Sequence, residues 1–210
     1  MPDGGAKAHA VILDCEFLVS EGSQQRFWCG PYDPDPTVAQ IGAVRISLQA
    51  PFDIVAQQSW LIAPRSRFGD PVEPDPFFTE LTGVSALSLL EAPGLAQVLT
   101  GLVGFAQDAP LWSWGKDELN LMAITCYVEG VSPPIPAARF GNLCALMIQA
   151  GMPYEVIKKT RSNNLPAYFG LNFPDLRAHD ALDDALSLTR TVQHLLRAGR
   201  LRGQDFLAPK

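Results

Sequence analysis

The chain has 210 residues, is 47% hydrophobic and 18% charged, and carries a net charge of −6 at neutral pH. That length can bury a full core in one domain, and no apolar run approaches the ~20 residues that would cross a bilayer. The acidic balance argues against a protein that coats long nucleic acid by neutralising phosphates, and leaves room for a short footprint such as a strand end.

Residues 8–18 are rich in Val, Ile, Leu and Phe and read as a central strand. The stretch 19–37, with SEGSQQ and PYDPDP, is turn-rich and reads as a long excursion beside a sheet. VAQIGAVRISL (38–48) and IVAQQSWLIAP (54–64) read as second and third strands, joined by short links that suit antiparallel neighbours. After a proline-rich irregular segment, 77–90 reads as short helical pieces, 93–107 as a helix and 109–114 as a buried strand. A helix is expected from Asp117 to about Gly130, with Asp117 at its N-terminus, and Pro133-Pro134 ends it. RFGNLCALMIQAG (139–151) has helical periodicity, short helices are expected at 153–160 and 163–170, and the last long helix runs from about His179 to Ala198. Three meandering strands followed by helix–strand–helix units predict an α/β fold with a mixed sheet, in one domain over 1–210 with its core at about 9–197.

The start, MPDGGAKAHA, lacks a basic segment followed by a long apolar one, so no secretory leader and a cytosolic location are expected. Cys15, Cys29, Cys126 and Cys144 show no C-x-x-C spacing and no partnered histidines, which disfavours zinc and predicts buried, reduced thiols.

Acidic residues stand at three distant places: Asp14 and Glu16 in VILDCEFL, Asp117 and Glu118 in LWSWGKDEL, and Asp184 in AHDALDDAL. Each lies in or beside an apolar segment, where an unpaired carboxylate is expensive to bury. Carboxylates converging from separate elements repel one another unless cations neutralise them, and a divalent metal pair is the usual answer. In a strand, Asp14 and Glu16 lie two apart and share a face, while Cys15 points to the other and reads as core. His179 supplies a titratable group five residues before Asp184. Acids at a helix start are favoured by the dipole, which accounts for Asp180 and Asp183 but not for the histidine.

D-x-E after an apolar strand, an Asp opening a mid-chain helix and H-x-A-x-x-D-A near the C-terminus resemble the DEDD-type 3′–5′ exonucleases, specifically the histidine (DEDDh) subclass. VAQIGAV and FFTELTGV are supporting matches, and the likeness runs over about residues 9–197. The WG beside the second motif is similar to the branch that includes histone-mRNA and small-RNA exonucleases. The resemblance implies a ribonuclease H-like fold, two Mg²⁺ or Mn²⁺ ions, and release of nucleoside 5′-monophosphates from single-stranded RNA or DNA 3′ ends. It implies Asp14, Glu16 and Asp184 as direct ligands and His179 as general base, a role worth roughly 10²–10⁴-fold in rate. In the second motif, strict spacing from Gly115 selects Glu118, whereas residue identity and a shorter arm suited to water-mediated contact favour Asp117. Phe17 and Leu18 would border the terminal nucleotide, and Leu81, Thr82 and Gly83 would wedge against the last bases.

Phe77 and Phe78 could stack on bases or pack in the core. Trp112 and Trp114 read as core or strand-flank residues, and KKTRSNN (158–164) as a solvated connection in preference to a phosphate contact. Two other functions fit the same residues: a phosphodiesterase for very short oligonucleotides, which suits the acidic charge, and an inactive nucleic-acid-binding module of the same fold.

Overall fold

A computed structural model describes residues 8–209, so most of the amino-terminal stretch read for a leader lies outside the described residues. Five strands form one sheet in the order β3-β2-β1-β4-β5. β1 (His9–Phe17), β2 (Val38–Ser47) and β3 (Ile54–Leu61) are antiparallel neighbours, and β4 (Leu111–Ser113) and β5 (Phe140–Asn142) add parallel strands on the other side of β1. This is the mixed sheet predicted from the order of elements, in the ribonuclease H-like arrangement that the resemblance implied. No helix among the described residues is long and apolar enough to cross a membrane.

β1 is buried on both faces because its alternation feeds two cores. Ala10 and Ile12 pack with α5 (Leu143–Gln149), α8 (Ala181–Arg197) and the carboxy-terminal turn around Phe206. Val11, Leu13 and Cys15 pack under α3 (Leu95–Ala106) and α4 (Asp117–Val128). A third, smaller cluster lies past the carboxyl end of β1, where Leu18 and Val19 meet Phe78 of α1 (Pro76–Thr82) and Leu89 of α2 (Ala86–Leu90). Trp112 is core, its indole N–H donating to the Phe206 carbonyl at 3.1 Å, and half-buried Trp114 donates to the Thr160 carbonyl at 3.2 Å.

Three expectations need correction. The segment 139–151 is not one helix: Phe140–Asn142 is an edge strand that pairs the open side of β4, and α5 begins only at Leu143, capped by Asn142 accepting from the Cys144 N–H at 2.8 Å. Gly141 permits this, since a Cβ there would collide with the Trp112 ring. The short helices expected at 153–160 and 163–170 shrink to α6 (Tyr154–Ile157) and α7 (Leu165–Tyr168). Of the four cysteines, all free, Cys15 and Cys126 are buried, but Cys144 is half-buried and Cys29 is exposed on the excursion after β1.

β2 carries a close approach. Gly42, paired with Asp14 of β1, lies against the first turn of α8, and a Cβ at this position would overlap the Ala181 carbonyl group. Gly42→Ala should therefore lower stability by about 1–3 kcal/mol, the usual cost of overpacking. Gly104→Ala, on the exposed side of α3 with nothing within 4 Å of the new methyl, should raise it by about 0.5–1 kcal/mol. Urea unfolding of both variants checks the pair, and equal effects would remove Gly42's special position.

Candidate active site

Asp14 and Glu16 continue the α8-facing row of β1 beyond Ala10 and Ile12, so the strand that builds the core also delivers two carboxylates to one place. Opposite them, the start of α8 is pinned to β2. Gln40, the partner of Glu16 across the ladder, accepts from the Ala181 N–H at 3.2 Å and donates to Asp180 at 3.2 Å. Asp180 is the N-cap, accepting from the N–H groups of Leu182 and Asp183 at 3.0 and 3.2 Å. Gly42 lets the helix start settle on the sheet, which sets Asp184 beside the β1 acids.

His179 is not in the helix. It precedes the N-cap with φ +61°, a left-handed conformation that costs a non-glycine residue roughly 1–3 kcal/mol and persists where surrounding contacts hold it. Those contacts are local: its N–H donates to the Asp184 carboxylate at 3.0 Å. A ring nitrogen of His179 and carboxylate oxygens of Glu16 and Asp184 all lie within 4.8 Å of one another.

Helix geometry places the two acids of the second motif differently. Lys116 is the N-cap of α4, and Asp117 and Glu118 are its first two residues, about 100° apart around the axis, so they cannot both face the sheet. Glu118 turns inward and is buried, whereas Asp117 is exposed. Asp117 opens α4 as expected, but of the two acids it is Glu118, not the favoured Asp117, that is buried toward the β1 acids. The longer glutamate reaches the cluster, and among the charges acting on Asp14 the Glu118 carboxylate is the largest.

Asp14, Glu16, Glu118 and Asp184 are 8%, 8%, 6% and 9% exposed. Burial pushes all four carboxyls up, and repulsion from neighbouring carboxylates adds to it, from others of the four at Asp14 and Glu16, from Asp117 at Glu118 and from Asp180 and Asp183 at Asp184. Asp14 is held well above its ordinary value by desolvation, then by Glu118, Asp184 and Glu16. Glu16 is pushed up to about 8 by desolvation and by Asp184 and Asp180, with Arg177 opposing. Desolvation raises Glu118 to about 7 against a hydrogen bond from Ser113, and Asp184 rises less because the His179 N–H supports its charged form. One Glu118 oxygen, Oε2, is buried with no hydrogen-bond partner. Such an orphaned acceptor beside three other carboxylates has the hard-oxygen chemistry that suits Mg²⁺ or Mn²⁺.

The residues expected to border substrate divide. Leu18 and Thr82 are buried, the Thr82 hydroxyl donating to the Phe78 carbonyl at 2.9 Å. Phe17 and Leu81 are half-buried and Gly83 is exposed at the turn after α1. Phe78 is core, while Phe77 is half-buried against the same cluster. Trp28 packs against Phe17 with ring centroids 6.0 Å apart, on an excursion held by Asp33, which accepts from Ser20, Gly30 and Arg26. Within 158–164, Lys158 pairs with Glu155 at 2.8 Å.

Sequence reasoning assigned no role to Gln40, Gly42, Ser113 or Arg177. Gly42 had a legible signal, since a glycine inside a strand marks a close backbone approach. The others are ordinary polar residues whose meaning comes from what they touch.

No family model matches the chain, and no curated protein matches its sequence. Solved structures do. The nuclease domain of 3'hExo, a DEDDh family member bound to rAMP, superposes with a TM-score of 0.77 at 19% identity, over 94% of this chain and 96% of that one. Cell-death related nuclease 4 (CRN-4) gives 0.69 at 18%, over 91% and 64%. E. coli Exonuclease I in complex with a dT13 oligonucleotide gives 0.62 at 13%, over 92% and 42%, so this chain spans less than half of that one. At such identities the likeness shows the fold, which is that of DEDDh-family 3′-exonuclease nuclease domains.

The raised carboxyls set a pH dependence. Glu16 and Glu118 hold protons more tightly folded than unfolded, so each supports the metal-free fold below the ordinary value of 4.5 and ceases to as pH rises through about 8 and 7. In EDTA the melting temperature should fall from about pH 5 to about pH 8, and Mg²⁺ or Mn²⁺ should restore more at the higher pH, where binding displaces fewer protons. Thermal melts with and without metal check this; a metal effect equal at both pH values would contradict it.

Proposed function

We propose that the chain is a metal-dependent 3′–5′ exonuclease that hydrolyses phosphodiester bonds at single-stranded RNA or DNA ends and releases nucleoside 5′-monophosphates. The observation that carries this reading is the convergence of four desolvated carboxylates from β1, α4 and α8 with His179, including a Glu118 oxygen that nothing in the fold satisfies. A structural role would pair or neutralise such acids rather than leave them facing one another.

Asp14, Glu16 and Asp184 would hold a pair of Mg²⁺ or Mn²⁺ ions, with Glu118 rather than Asp117 as the fourth acid. Bound there, the ions supply activated water and charge stabilisation at the leaving 3′-oxygen. A ring nitrogen of His179 lies within 4.8 Å of carboxylate oxygens of Glu16 and Asp184, and it would take the proton from the attacking water. Its left-handed backbone and its N–H bond to Asp184 hold the ring over the carboxylates and limit its freedom to swing away. Phe17, with Leu18 behind it, and Leu81 to Gly83 would border the terminal nucleotide, where one stacked base is worth ~1–3 kcal/mol without reading sequence.

A second reading, a phosphodiesterase for very short oligonucleotides, is favoured by the net charge of −6, which suits a small footprint. An inactive binding module is disfavoured, because a retired site has no reason to keep four repelling acids.

Incubation with 3′- and 5′-labelled RNA and DNA oligomers in Mg²⁺, Mn²⁺ or EDTA tests the proposal. Stepwise shortening from the 3′ end is expected, abolished by EDTA and by Asp184→Ala. Binding without cleavage in every metal would overturn it, and activity confined to oligomers below about five nucleotides, too few for an extended phosphate contact series, would favour the second reading. His179→Ala should cost roughly 10²–10⁴-fold. Glu118→Gln should lose most activity while Asp117→Asn keeps it; the reverse would return the second motif to Asp117.

A further inference from the structure

Four carboxylates and two divalent cations sum to zero charge, and a phosphodiester still brings a negative charge to that neutral centre. Among the described residues, one arginine acts on that cluster. Arg177 precedes His179 by two residues, and among the interactions acting on the four acids it is the lysine or arginine that opposes their charge, through Glu16. It lines the same cavity, of about 150 Å³, as Asp184 and Ser187.

The arginine is held in place without being used up. Its backbone N–H donates to the Asp183 carboxylate at 2.9 Å. Its guanidinium donates through Nη2 to the Thr82 carbonyl and lies flat on the turn after α1. Gly83, with φ +72°, makes that seat: a Cβ there would fall 2.6 Å from Nη1 and 2.8 Å from Cζ. Arg26, Arg67, Arg190 and Arg202 each spend their charge on a carboxylate. No carboxylate lies within the 4.0 Å of an ion pair from Arg177 among the described residues, and its side chain is exposed. A planar fork anchored by one donor leaves the remaining N–H groups preorganised for an oxyanion.

We propose that Arg177 binds a non-bridging oxygen of a substrate-strand phosphate, bridging the Thr82–Gly83 turn and the His179 loop across the path of the chain end. The assignment rests on the nuclease reading above and adds to it a substrate contact from a residue outside the acid and histidine motifs. The same guanidinium also fixes the distance between the turn that borders the terminal base and the loop that carries the base catalyst, so nucleotide and histidine are set by one side chain.

The test is equilibrium binding in the His179→Ala background, where slow cleavage permits measurement, using a 5′-fluorescent single-stranded 12-mer with Mg²⁺ across a salt series. Each phosphate contact on a single strand contributes about 0.7 to the slope of log K against log salt. Arg177→Met should lower that slope by about this amount and weaken binding most at low salt, while Arg177→Lys should keep the slope. A weakened Arg177→Met protein with an unchanged slope would make the arginine a brace for the turn and overturn the assignment. If wild type cleaves and only this slope is unmoved, the arginine contact falls alone; if neither protein binds or cleaves oligonucleotide, the nuclease reading falls with it.

Discussion

Mutual repulsion among four carboxylates, brought out of water onto one end of a sheet, is the constraint around which this molecule is arranged. Asp14, Glu16, Glu118 and Asp184 are each more than nine-tenths buried, and each carboxyl is pushed above its ordinary range by desolvation. No lysine or arginine forms an ion pair with any of them among the described residues. A fold does not assemble such a cluster for its own stability, since breaking solvation without pairing is costly. Divalent cations would reverse the sign of that cost, making the same groups a preorganised receptor.

The scaffold keeps the acids together by a docking event far apart in sequence. α8 begins on the inner face of β2, where Gly42 removes the Cβ that would block it and Gln40 satisfies both Ala181 and the capping Asp180. The left-handed turn at His179 then folds the chain back over Asp184. Arg177 carries the connection outward to the Thr82–Gly83 turn. Packing, capping and the site are therefore one network, and a change at Gly42 or Gln40 would be felt at Asp184 without touching any acid.

Much of this was legible in the chain. Period-two alternation in VILDCEFL put Asp14 and Glu16 on one face and Cys15 in the opposite core, because side-chain direction in a strand is local. The spacing of His179 and Asp184 singled out two groups that the fold does bring within 4.8 Å of each other and of Glu16, although it could not say that the histidine stands outside the helix, which is a matter of backbone dihedral at a single residue. The preference for Asp117 rested on residue type, whereas it is Glu118 that the fold buries. Which of two adjacent helical acids faces inward depends on where the helix is rotated against the sheet, and that rotation is set by Leu121, Met122, Thr125 and Cys126 on the buried side of α4. β5 was hidden for a related reason: three residues carry too little periodicity to announce a strand, and Phe140–Asn142 is extended because β4 offers an open edge.

By itself, then, the amino-acid sequence determined the first four strands, the mixed sheet and most of the acids that converge, since these follow from local alternation, turn residues and motif spacing. Only the tertiary structure decided which acid of the second motif is buried, that Gly42 and Gln40 seat α8, and that Arg177 lies on Gly83 beside the carboxylates. Those are properties of surfaces brought together from distant parts of the chain, where exclusion of water and the volume of one missing Cβ decide the outcome, and no local pattern encodes them.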